Sequence, residues 1–82
     1  MSVTYYVALP FARDEAGDVV AGEPQECPNA GKAERVASAF AKNPKYCGAI
    51  AFSRTGDPAL GDFEDAIVIG SFGEVDPLAL GG

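Results

Sequence analysis

The sequence predicts a two-layer α+β sandwich, ordered strand-strand-helix-strand-strand, in which one mostly antiparallel sheet carries one helix. Three observations lead there. Val3, Tyr5, Val7, Leu9 and Phe11 alternate at period two, the spacing of one strand face. Ala33, Val36, Ala37, Phe40 and Ala41 recur at helical spacing. Two apolar runs, Cys47-Gly48-Ala49-Ile50-Ala51-Phe52 and Ala66-Ile67-Val68-Ile69-Gly70-Ser71-Phe72, are wetted on neither face. A chain of 82 residues fits a single domain. We place it at 1–73, with a C-terminal tail at 74–82.

The first strand is expected over 3–12, with Thr4, Tyr6, Ala8 and Pro10 on its second face. Pro10 has no N–H for a ladder, which predicts an edge, a bulge or the strand's end there. Arg13 to Asp18 reads as a turn, with Gly17 supplying a positive φ. A weaker strand comes next, over 19–26. Gly22 and Pro24 interrupt it, so it reads as an edge strand, whole or in two short pieces.

The helix begins after the N-cap Asn29 and stops at Asn43-Pro44. Its apolar stripe is mostly alanine, so it can lie close to a sheet, with Phe40 as its one large anchor. Lys32, Arg35 and Lys42 on its outer side form a basic face suited to an acidic protein partner.

The next strand, 46–53, has Tyr46, Gly48, Ile50 and Phe52 on one face and Cys47, Ala49, Ala51 and Ser53 on the other. The small side is a bed for the helix, which leaves Ile50 and Phe52 in need of other cover. Ser53 to Asp65 reads as a polar loop. In the last strand, 65–72, Ala66, Val68, Gly70 and Phe72 oppose Ile67, Ile69 and Ser71. One thirteen-residue helix cannot cover both faces of such a sheet. Ile50, Phe52, Val68 and Phe72 are therefore expected to form an interface, and a second copy is the simplest cover, because two-fold homodimers are the commonest soluble oligomers. Leu78 and Leu80 folding back from the tail is the alternative.

Charge narrows the function. The net charge is −6. Residues 32–45 carry four bases against Glu34, while the rest of the chain holds eleven acids against Arg13 and Arg54 alone. Such a balance disfavours nucleic acid and anionic membranes. With no histidine in the chain, Ser-His-Asp, Cys-His and HExxH chemistry is excluded. No run approaches the ~20 apolar residues of a spanning helix, and Met1 to Tyr6 does not resemble a secretory signal. A soluble, cytoplasmic protein is the expectation. Cys27 and Cys47 are too far apart in sequence for a CxxC pair, and the helix between them opposes a disulfide. Cys27, just before the helix, reads as a buried thiol.

The loop region offers one candidate ligand site, Arg54, Thr55, Asp57 and Asp62. Arg54 is a fork for a phosphate or carboxylate, while Asp57, Asp62, Glu64 and Asp65 are oxygen donors for a hard cation. The spacing matches neither a P-loop nor an EF-hand loop, and the aspartates also suit simple turns. No cofactor is implied.

One resemblance remains. The order of elements, the size, the acidity and the terminal Gly81-Gly82 resemble the ubiquitin-like sulfur carriers of molybdopterin and thiamine synthesis. That resemblance implies an acyl carrier acting through Gly82, adenylated and then thiocarboxylated by an E1-like partner. Leu78-Ala79-Leu80 before the glycines departs from the family's pattern. The residues themselves favour a different expectation: a small non-enzymatic, self-associating binding or assembly domain.

Overall fold

In the computed structural model, which describes residues 1–76, the chain forms one antiparallel sheet with a single helix packed on it. In chain order the elements are β1 (Val3–Arg13), β2 (Val19–Ala21), β3 (Gln25–Cys27), α1 (Ala30–Lys42), β4 (Gly48–Asp57), β5 (Asp62–Phe63) and β6 (Ile67–Gly73). They occupy four lanes: β2 and β3 share one edge, then come β1 and β4, and β5 and β6 share the other edge. The α+β class and the approximate element order agree with the sequence reading.

β1 and β4 form the sheet's spine, in unbroken register from Val3 opposite Gly56 to Phe11 opposite Gly48. Pro10 lies inside this central strand and is fully buried, not at an edge or an end. Its neighbours explain why it is tolerated. β3 pairs with Tyr6–Ala8 and β2 with Phe11–Arg13, so the edge lane is broken beside Pro10. The Pro10 carbonyl accepts from Gly22 N–H at 2.8 Å. In an antiparallel strand a residue's N and C=O point the same way, so the missing donor faces Gly22 at the end of β2 and the ladder to β4 loses no bond. The split of the second strand and the proline are thus one feature.

The helix is capped as its sequence predicts. Asn29 Oδ1 accepts from Lys32 N–H at 2.8 Å, and Asn43 N–H donates to Phe40 C=O at 3.0 Å. Ala33 and Ala37 have no exposed surface and lie on Ala8, Ala49, Ala51 and Cys27, with Tyr6, Val36, Phe40, Ile69 and Phe72 around them. Small residues on both layers bring the helix close to the sheet. Lys32, Arg35 and Lys42 are on the helix's outer side, and all three are exposed.

The segment expected to be a polar loop is mostly strand. β4 runs on to Asp57, and only residues 58–61 turn before β5. At 1.5 Å per residue the helix spans roughly 20 Å; β4 at ~3.4 Å per residue spans over 30 Å. The helix ends before the strand does. Ser53, Thr55 and Asp57 lie on the stretch of the helix side that α1 does not reach.

The fourth lane holds two strands, β5 and β6, with one extra residue between them and a bulge within β6. Asp62 faces Asp57, Phe63 faces Gly56, and Glu64 N–H donates to Thr55 C=O. Ile67 then faces Ser53, so Asp65 and Ala66 together oppose Arg54. A second extra residue, Ile69, enters between Val68 opposite Phe52 and Gly70 opposite Ala51. Each bulge reverses the sense of the alternation. The first sets Val68 opposite Phe52, and the second turns Ile69 into the helix-side core.

Candidate interaction site

The helix-free face of the sheet has two ends with different surroundings. At one end Leu9, Phe11 and Ile50 form a closed cluster, 6%, 0% and 3% exposed. Val19, Cys47, Phe52 and Val75 pack around it. The chain supplies part of this cover by crossing over after β6. Gly73 adopts φ +69°, which glycine tolerates, Glu74 N–H donates to Cys47 C=O at 3.0 Å, and Val75 drops onto the cluster. A side chain at Gly48 would collide with the backbone of Phe72 and Glu74. Arg13 pairs with Glu74 at the rim. Glu74 and Val75 are therefore held against the domain. Leu78, Leu80, Gly81 and Gly82, including the tail cover and the carrier glycine, lie outside the described residues.

Among the described residues the other end of that face is open. Across it lie Val3, Gly56 and Phe63; then Tyr5 and Arg54; then Glu26, Val7, Phe52 and Val68. Val3 and Phe63 are each 40% exposed and Val68 51%. Tyr5, Val7 and Phe52 are half-buried. The Phe63 ring lies against Gly56, where a side chain would displace it, and its centroid is 6.1 Å from that of Tyr5. Arg54 is the one basic side chain on these three rows among the described residues, and it is half-buried.

The four residues expected at an interface divide between these surroundings. Phe52 and Val68 lie on the helix-free face and border or form its open end. Ile50 is shut into the closed cluster. Phe72 is on the opposite face, across from Ala49 and packed in the helix-side core. The bulge at Ile69 is the reason: it breaks the period-two pattern that put Val68 and Phe72 on one side. Val3, Tyr5, Val7 and Phe63 belong to the open end, and sequence reasoning did not assign them to it. The alternation along 3–11 already placed three of them on one face; which face would lack the helix was the missing information.

The candidate ligand residues do not converge. Arg54 is on the helix-free face, while Thr55, Asp57 and Asp62 are on the helix side. Thr55 Oγ1 shares a hydrogen bond with Thr4 Oγ1 at 2.9 Å. Asp57 accepts from the N-terminal ammonium at 2.8 Å and from Ala59 N–H at 2.9 Å. These bonds, the ammonium first, hold its carboxyl below the usual aspartate range. Its role is the turn chemistry of 57–61.

Two shallow clefts flank the sheet. One, about 500 Å³, is lined by Thr55, Phe63, Glu64, Asp65 and Ile67. The other, about 440 Å³, lies at the break between β2 and β3 and is lined by Glu23 to Glu26, Phe40 and Tyr46. Acids at both rims make them poor anion sites. Among the described residues no group of three or more His, Cys, Asp or Glu side chains is arranged to hold a metal ion. Both cysteines are free thiols, Cys27 in the helix-side core and Cys47 beside the closed cluster. No helix among the described residues is long and apolar enough to cross a membrane. Comparison with protein-family models, curated proteins and solved structures finds no match.

Proposed function

We propose that this chain is a non-enzymatic, self-associating binding or assembly module whose contact surface is the open end of the helix-free sheet face. One observation carries the reading. Val3, Phe63 and Val68 keep 40–51% of their surface exposed beside half-buried Val7 and Phe52, and no helix or strand among the described residues covers them. Contiguous apolar surface of this kind marks interaction sites in soluble proteins. A second copy is the simplest partner, since a two-fold pair covers the same patch on both chains at once. The acidic surplus elsewhere keeps the chain soluble while this patch stays exposed.

Light scattering across a dilution series tests the reading. The mass should rise from monomer toward dimer with concentration, and Val68→Glu should hold it at monomer. A wild-type chain that remains monomeric up to millimolar concentration would sink the proposal.

A further inference from the structure

We infer a second contact surface: the outer side of α1, where Lys32, Arg35 and Lys42 form a docking stripe for a short acidic segment of a partner protein. The stripe is on the opposite side of the sheet from the self-association face. The inference therefore goes beyond that reading and stands or falls without it. At about 100° per residue, the three cations fall within an arc of about 80° around the helix. Arg35 lies opposite the midpoint between Ala33 and Ala37, which have no exposed surface, so the arc points away from the sheet. The other outward positions, Gly31, Ser38 and Ala39, are small and leave the cations unshielded.

The chain does not neutralise this stripe. Lys32, Arg35 and Lys42 are exposed, and the ion pairs among the described residues, Met1–Asp57 and Arg13–Glu74, use none of them. No acid stands three or four residues from any of the three, so α1 lacks the side-chain pairs that stabilise a solvated charged helix. Its one acid, Glu34, is turned toward β6, where a side chain at Gly70 would touch Glu34 Cγ. Lys32 is also placed against local stability. It is the third residue of α1, in a first turn that holds no acid. The helix dipole favours anions at that end and opposes a cation. In an acidic chain, an acid at this position would serve both solubility and the helix.

Charge and length select the occupant. A two-fold contact through α1 would set one basic stripe against another, so a second copy is disfavoured there. From Lys32 to Lys42 the stripe is about 15 Å long, a length that about five residues of extended chain span. At physiological salt, exposed charges interact over ~8 Å. A segment of that length therefore feels the stripe more strongly than the acids elsewhere on the chain. A nucleic acid runs further. Past the N-terminal end of α1 it would meet Asp57 and Asp62 on the same side of the sheet, and their carboxylates would repel its phosphates. A short acidic peptide segment fits where a continuous phosphate backbone does not.

Titration of the isotope-labelled chain with a short oligoglutamate, followed by amide NMR shifts at physiological salt, tests the surface. The shifts should centre on α1 and leave the amides of β5 and β6 in place. Lys32→Gln, Arg35→Gln and Lys42→Gln together should weaken binding about tenfold or more. Glutamine is a good helix former, and far-UV circular dichroism checks that α1 is retained. Lowering the salt should tighten binding to the wild type and barely change the triple variant. Shifts centred outside α1, no shifts at millimolar peptide, or a triple variant that binds as well as the wild type would each overturn the inference. So would tighter binding of a single-stranded oligothymidylate of equal charge, which would make the stripe a nucleic-acid surface. A chain that binds the peptide through α1 but never dimerises would remove only the functional reading above.

Discussion

At the Phe11 end of the helix-free face Glu74 and Val75 provide cover; at the Val3 end no helix or strand among the described residues does. The two ends share the same strands and the same kind of side chain. They differ in how the chain runs on from the neighbouring edge strand. Beyond β6, Glu74 and Val75 turn across the first end, against paired Gly48 and Gly73, and the cluster there is closed. At the second end the nearest element is β5, two residues long, and Val3, Phe63 and Val68 stay exposed. Equal hydrophobicity therefore has two outcomes among the described residues: one end is buried in the fold, and the other keeps Val3, Phe63 and Val68 exposed.

Substitutions should separate the two. The largest effect is expected at the closed end, where Phe11→Ala removes a fully buried ring. Its cost, about 3–5 kcal/mol, is a large share of the roughly 4–12 kcal/mol expected for a chain this size. Urea denaturation should show a substantially lowered midpoint or an unfolded chain. Gly48→Ala comes next. Its methyl group would press on the backbone at Phe72 and Glu74, and overpacking of this kind costs about 1–3 kcal/mol. A stability loss below about 0.5 kcal/mol, the range of surface changes, would mean that the crossing segment gives way easily.

The open end should behave differently. Val68→Ser is expected to shift monomer stability by no more than about 0.5 kcal/mol, as at other exposed sites, while weakening self-association. A large loss of monomer stability instead would show that Val68 is held by its own chain and would erase the contrast. The smallest effect concerns Asp57. Its folded-state pKa lies below the ordinary value, so the stabilisation is present above the usual aspartate pKa of about 3.9 and is lost as pH falls through the depressed folded value. Asp57→Asn should flatten that part of the acid-unfolding curve and leave neutral-pH association unchanged.

Some of this was legible in the residues. Asn29, the alanine stripe and Asn43-Pro44 define the helix by local chemistry alone, since capping and periodicity need no distant partner. The bed of Ala49 and Ala51 beneath the helix, with Ile50 and Phe52 turned away, was also readable, because strand alternation is fixed by the backbone. The extension of β4 through Ser53, Arg54 and Thr55 was not. Polarity suggested a solvated loop, but a strand running past the end of its covering helix is polar for the same reason. Pro10 in a central strand was equally hidden, since its tolerance depends on a gap in another lane.

Residue order alone settles the class of the domain, the helix with its caps, and the excess of apolar strand surface over what that helix can cover. Where the excess lies is a property of the assembled fold. The single-residue bulge at Ile69 sent Val68 to one face and Phe72 to the other, and the crossing at Gly73 closed one end of the sheet. Those outcomes depend on pairing between distant segments, and a one-residue slip in pairing reverses a side chain's face without any change in composition.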